Sequence, residues 1–234
     1  MRKISEYLSV SDECVILCFD ISGFYEIMND INRNLDENAL LDVCGYYHEL
    51  FRSVARKMRD GGDCTNIETI FANRMGDGAY ILFTGDDQGN NLKAAFEYAG
   101  ALRACYVGKA PDERTGVPPE SSERKIMELL KIAVHVGKVY RYEAELIFFP
   151  PDEAKYNYVS LDMNLCAAAM KYGYPRHYDV VLSARAWEMS QILMKDKAEN
   201  PPSHCHKLSR GGGEDVFMFG VDFDDVDWDE VNRE

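Results

Sequence analysis

No run in this sequence approaches 18 uninterrupted apolar residues, which excludes a membrane-spanning helix. No apolar core follows Met1-Arg2-Lys3-Ile4-Ser5-Glu6, which excludes a secretory leader. Positive charge is scarce: 26 Lys and Arg face 40 Asp and Glu, for a net charge of −14. That deficit argues against a nucleic-acid polymer as partner, because polymer binding needs basic patches. It leaves room for a mononucleotide whose phosphates are offset by metal ions and a few local cations. The seven cysteines are odd in number and scattered, so they form no disulfide framework and fit a reducing, cytoplasmic setting. There is no linker and no internal repeat. At 234 residues, 46% of them hydrophobic, the chain can build one large domain, read as residues 1–221. Residues 222–234, opening Asp222-Phe223-Asp224-Asp225-Val226-Asp227, read as an acidic tail, a solvated or frayed end.

What is present is a pair of short motifs, each placing one aspartate at the edge of an apolar strand. Cys14-Val15-Ile16-Leu17-Cys18-Phe19 runs into Asp20-Ile21-Ser22-Gly23-Phe24. Asp77 sits in the turn Gly76-Asp77-Gly78, between Thr69-Ile70-Phe71-Ala72 and Ala79-Tyr80-Ile81-Leu82-Phe83. Two carboxylates on neighbouring strands make a hard-cation site, and a Gly-rich turn beside them points to phosphate chemistry. Taken alone, Asp20 would equally serve as the cap of the helix that follows it.

The pattern predicts a strand over about 14–20, a helix from near Ser22 and a longer helix over Asn38–Met58, ended by Gly61-Gly62-Asp63. A hairpin follows, about 67–73 and 79–84, then a helix over Asn91–Val107 and a Pro/Gly/Ser loop over 111–122. Leu129–Val136 reads as a strand, Tyr140–Phe149 as a ribbon, Leu161–Tyr172 as a helix, Val180–Ser183 as a strand and Ala184–Met194 as a helix. His206–Leu208 and Val216–Val221 close the chain as paired strands. The first part is a βαββαβ order, which packs helices on one face of a mainly antiparallel sheet and leaves the other face for a ligand or partner.

These motifs, in this order, resemble the catalytic domain of class III nucleotide cyclases, from about Cys14 to Phe219. Phe19-Asp20-Ile21-Ser22-Gly23-Phe24 is similar to the family's first metal-aspartate segment and Arg74-Met75-Gly76-Asp77-Gly78 to its second. Ile132-Ala133-Val134-His135-Val136-Gly137 is similar to its strand ending in His-x-Gly. Val159 to Ala168 is similar to its catalytic helix, with Asn164 at the family's asparagine, and Val181-Leu182-Ser183 to the strand after it. The resemblance implies an α+β fold, a ferredoxin-like βαββαβ core of the adenylate/guanylate cyclase type with a C-terminal helix-strand extension. It implies a head-to-tail homodimer acting on a nucleoside triphosphate. Asp20, Ile21 and Asp77 of one protomer would hold two divalent ions, Mn²⁺ or Mg²⁺. Gly23 and Phe24, at a helix start, would give backbone N–H groups to the phosphates. Asn164 of the other protomer would orient the ribose, and Arg210, with Lys207 as second candidate, would hold the terminal phosphates.

The departures from the family carry information. Its base-reading positions are Asn73 and Asn157 here, where adenylate cyclases place lysine and aspartate and guanylate cyclases glutamate and cysteine. Tyr156 and Tyr158 flank Asn157 and narrow the pocket against a purine. An asparagine amide both donates and accepts, so it suits uracil and, after a flip, cytosine. A domain with intact metal aspartates and no purine pair resembles the pyrimidine cyclases of the bacterial anti-phage system called Pycsar, which make cyclic UMP or cyclic CMP. That resemblance implies UTP, or less favourably CTP, as substrate and a downstream effector that binds the product. The family's arginine four residues after the asparagine is Ala168 here, and Lys171 and Arg176 are the nearby cations. Two other classes stand beside this reading: an adenylate cyclase with an unusual base pocket, and a silent cyclase-like nucleotide-binding or interaction module. His204-Cys205-His206 is a poor zinc site, since adjacent residues cannot converge on one ion and no second pair supports them. His135 reads as a buried strand histidine. Gly61-Gly62-Asp63 is similar to the start of the diguanylate cyclase signature, which Cys64-Thr65 breaks.

Overall fold

Strand β1 (Leu8–Ile21) occupies the middle of the sheet because it is apolar on both sides. The computed structural model describes residues 8–21, 29, 33–34, 52, 70–75, 78–108, 130–142, 157–173, 178–195, 205–209 and 215–232. Successive side chains of a strand face opposite ways. Val15, Leu17 and Phe19 enter one core, and Cys14, Ile16 and Cys18 enter another on the reverse face.

β1 pairs antiparallel with β3 (Gly78–Phe83) and β4 (Leu130–Tyr142), and β3 pairs antiparallel with β2 (Ile70–Met75). The resulting order β2-β3-β1-β4 is that of the expected βαββαβ core. Of the first crossover, Asn29, Arg33, Asn34 and Arg52 are described, and all four are helical. The second crossover contains α1 (Gln88–Gly108), whose first turn is capped by Asp87 accepting from the N–H groups of Gly89 (2.9 Å) and Asn90 (3.1 Å). Beyond β4 lie β6 (Val180–Ser183), parallel to it, then β8 (Asp215–Val221) and β7 (Cys205–Ser209). β4 runs unbroken through Gly137, where the sequence suggested a stop. A short β5 (Asn157–Val159), not anticipated, pairs with its far end.

Two expectations need correcting. The sheet face opposite α1 is not left open for a ligand or partner. α1 and α3 (Ala184–Ser190) cover the Val15 face, while α2 (Leu161–Gly173) covers the Cys14 face with Met163, Leu165, Cys166, Ala169 and Met170. The unbroken apolar run from Cys14 to Phe19 demands this, since a strand buried on both sides needs a layer over each. The acidic stretch is not a solvated end over the described residues 222–232. It forms a 3-10 turn (Phe223–Asp225), a bridge from Val226 to Met194, and α4 (Trp228–Val231). Phe223, Val226 and Val231 are buried in the α1-side core, while Asp224, Asp225 and Asp229 point to water. Asp179 Oδ2 accepts from the Phe223 N–H at 2.7 Å and pairs with Arg103 at 2.9 Å, and the Arg103 guanidinium lies 5.1 Å from the Phe223 ring centroid. None of the described helices is long and apolar enough to cross a membrane.

Candidate active site

The end of β1 gathers the chemistry. Asp20 is the last residue but one of the strand and lies directly across from Lys131 on β4. Alternation puts its side chain on the same face as Cys18, and burial, reinforced by the Asp20 charge, pushes the Cys18 thiol up. On the other flank Phe19 pairs with Ala79, so Gly78 lies beside Asp20. A Cβ on Gly78 would stand 3.2 Å from Asp20 Oδ1 and 2.5 Å from the Phe19 carbonyl oxygen. Only a bare residue leaves the carboxylate open there. Met75 pairs with Gly78, so Gly76-Asp77 joins β2 to β3 at this end of the sheet, although those two residues lie outside the described set.

This arrangement fits a hard divalent ion. The donor is a partly exposed carboxylate at a strand end, with bare Gly78 on one flank. No group of three or more metal-capable side chains occurs among the described residues, of which Asp77 is not one. Lys131 is the feature that the sequence reading missed. Cross-strand neighbours stand with Cβ atoms about 4.5–5.5 Å apart, so the stem of Lys131 rises beside that of Asp20. The signal was a lone lysine at the start of the apolar strand Leu129–Val136.

Asn164 is exposed on the outer surface of α2, pointing away from the sheet that carries Asp20. Cys166, on the inner surface, lies against the Ile16 and Ala133 carbonyls at 3.5 and 3.4 Å. One chain therefore does not bring Asn164 to Asp20. Ala168 is partly buried and supplies no charge. Asn73 pairs with Tyr80, which pairs with Cys18 near the end of β1. Asn157 pairs with Tyr142, which pairs with Leu8 at its start, and Tyr158 pairs with Arg141. The two asparagines thus sit at opposite ends of β1. Lys207, opposite Phe217, is on the far edge strand and is not brought to Asp20 either. Ile21 closes β1 opposite Leu130, with only its backbone described. Gly23, Phe24, Arg176 and Arg210, and the Lys171 side chain, lie outside the described residues.

The described thiols are free and buried, and burial, helped by the Asp162 charge, pushes Cys14 up to about 12. None of them supplies a thiolate nucleophile near neutral pH.

No family model and no curated protein matches the sequence. Solved structures do. The fold is similar to that of the guanylyl cyclase Cya2, with a TM-score of 0.59 and 17% identity over 92% of this chain and 93% of that one. It is similar to the adenylyl cyclase CyaB from P. aeruginosa, with a TM-score of 0.59 and 14% identity over 92% of this chain and 95% of that one. A bacterial light-regulated adenylyl cyclase gives a TM-score of 0.57 and 13% identity over 92% of this chain and 53% of that one. At such identities the likeness is one of fold, and the fold is that of the class III cyclases.

Proposed function

We propose that the protein is a nucleotide cyclase that converts a pyrimidine nucleoside triphosphate, UTP ahead of CTP, to its 3′,5′-cyclic monophosphate and pyrophosphate. The observation that carries the cyclase reading is the register at the end of β1, where Asp20 meets bare Gly78 on one flank and Lys131 on the other. Asp20, the Ile21 carbonyl and Asp77 would hold the two divalent ions, Mn²⁺ or Mg²⁺. When bound, these ions neutralise triphosphate charge and ease loss of the 3′-hydroxyl proton. Lys131 and the backbone N–H groups of Gly23 and Phe24 take phosphate oxygens, with the partner's Arg210 or Lys207 at the terminal phosphates, since one chain does not bring Lys207 to Asp20. The 3′-oxygen forms its bond to the α-phosphorus as the bond to pyrophosphate breaks in line, so the protein's task is positioning and charge.

The exposed Asn164 and its distance from the Asp20 end support a head-to-tail homodimer, in which the partner's Asn164 orients the ribose. Asn73 and Asn157 lie toward opposite ends of β1 in one chain, so pairing them around one base also calls for two chains. The pyrimidine assignment rests on these asparagines in place of the purine pair and on Tyr158 beside one of them. UTP over CTP, and a role in anti-phage signalling through an effector that binds the product, rest on the Pycsar resemblance. A second reading, a silent nucleotide-binding module, draws on Ala168, since removing one fixed transition-state donor costs about 10² to 10³ in rate.

The test is incubation of the purified protein with each of ATP, GTP, CTP and UTP and Mn²⁺, products identified by mass spectrometry, with Asp20→Ala alongside. Cyclic UMP or cyclic CMP, absent with the variant, is the expected result. Cyclic AMP would sink the pyrimidine assignment, and no product from any triphosphate would sink the cyclase reading.

A further inference from the structure

One peptide on the open side of β4 is held by a helix instead of a strand. β6 pairs with β4 at Ala133 and Val134, and β5 pairs with it from Tyr140 onward. Between them lies Lys138, and the first turn of α2 takes both of its backbone groups. Asp162 Oδ2 accepts from the Lys138 N–H at 2.8 Å, and the Ser160 hydroxyl donates to the Lys138 carbonyl oxygen. Ser160 Oγ also accepts from the Asp162 N–H at 2.9 Å, capping the helix. Gly137 has no side chain in the way: a Cβ there would lie 2.6 Å from Asp162 Oδ2 and 2.7 Å from its Cγ. Behind the carboxylate stands His135, 7% exposed, with Nε2 3.6 Å from Asp162 Oδ1 and, among the described residues, no hydrogen-bond partner for either ring nitrogen.

We propose that Asp162 is a positioning residue for Asn164, an assignment that rests on the cyclase reading above. Asp162 fixes the rotation and height of the first turn of α2 on β4. Asn164 follows two residues later, on the outward surface, and its reach toward the neighbouring protomer is set by that first turn. Ser160 and Gly137 complete the device, and the His-x-Gly segment of β4 serves it: the glycine admits the carboxylate and the histidine backs it. A side chain near 1 Å out of place costs on the order of 10²-fold in rate, so a shift of the first turn acts on turnover more than on binding.

The experiment compares Asp162→Ala, Asp162→Asn, Gly137→Ala and Ser183→Ala in the full chain, reading kcat, KM and melting temperature with the triphosphate that the wild type turns over. Ser183 caps α3, accepting from the Ala186 N–H at 3.3 Å, and serves as a control cap away from α2. Asp162→Ala and Gly137→Ala are expected to lose about 10²-fold in kcat with KM changed less than threefold. Asp162→Asn, which keeps an acceptor for the Lys138 N–H, is expected to recover at least tenfold of that loss. Ser183→Ala is expected to lower the melting temperature and leave kcat alone. A wild-type kcat for Asp162→Ala, or a kcat that merely follows the melting temperature across all four variants, overturns the assignment. If Asp162→Ala does not fold, Gly137→Ala and Asp162→Asn give the same comparison. A wild type that forms no cyclic product overturns the cyclase reading and this inference together, whereas an active wild type with indifferent variants overturns this inference alone.

Discussion

Gly78→Ala isolates the geometry at the end of β1. The added methyl would lie 2.5 Å from the Phe19 carbonyl oxygen and 3.2 Å from Asp20 Oδ1. Ordinary contact begins near 3.4 Å, so β3 must withdraw from β1 by about 0.9 Å at the level of Asp20. Crowding of this kind costs roughly 1–3 kcal/mol. For a chain of this size each kcal/mol moves the melting temperature by roughly 2–4 °C, which gives a fall of about 2–12 °C and a protein that still folds. Activity should suffer more, because the displaced strand carries the turn with Asp77, and a shift near 1 Å costs on the order of 10²-fold. The assay is cyclic nucleotide formation at saturating triphosphate, paired with a thermal melt. Gly85→Ala is the control, since its Cβ meets Asn91 Oδ1 at 3.0 Å at the other end of β3, away from Asp20. A folded Gly78→Ala protein with wild-type turnover would refute the placement of the site between Asp20 and the β2–β3 turn.

Phe223→Ala should destabilise by about 3–5 kcal/mol in urea unfolding, because its ring is 3% exposed, whereas a solvated tail would give no change. Asp222 is raised by burial first and then by Asp179, Asp225 and Asp224. Its folded pKa therefore exceeds its unfolded one, so the stability it contributes is present below the ordinary carboxylate range and lost as pH rises through the raised value. Asp222→Asn should accordingly raise the melting temperature at about pH 8 and leave it unchanged at about pH 3. Lys131→Met should raise KM for the triphosphate about tenfold, as expected for a lost charge-assisted phosphate contact, and steady-state kinetics would show it.

Much of the frame was legible because local pattern and tertiary role coincide. The hairpin around Gly76-Asp77 and the helix bearing Asn164 lie at or within three residues of their expected places, and the run into Asp20 ends within one residue of its own, though β1 begins six residues earlier, at Leu8. What escaped depended on pairing or packing. Lys131 acquires meaning only from its register against Asp20, which no spacing along the chain encodes. The cover over the second face was implied by six consecutive apolar residues, an unbroken run where a one-sided strand would alternate. In the acidic stretch, charge outnumbered the apolar residues and masked them, yet Phe223, Val226 and Val231 are the ones that pack. The Asp162–Lys138 contact joins a helix start to a strand 24 residues upstream, and neither motif names the other.

The central place of β1 has a consequence for biosynthesis. Its partners are residues 78–83 and 130–142, so a strand made early waits for residues as far on as 142 before both of its edges are enclosed. At about 5–20 residues per second, the 120 or so residues between Ile21 and Tyr142 take roughly 6–24 s to emerge. During that interval the apolar run from Cys14 to Phe19 has unsatisfied backbone on at least one edge and two thiols in water, the condition under which strands pair with the wrong chain. Yield of native protein in a cell is therefore set by translation speed, holding chaperones and a reducing environment during those seconds, before any property of the finished fold applies.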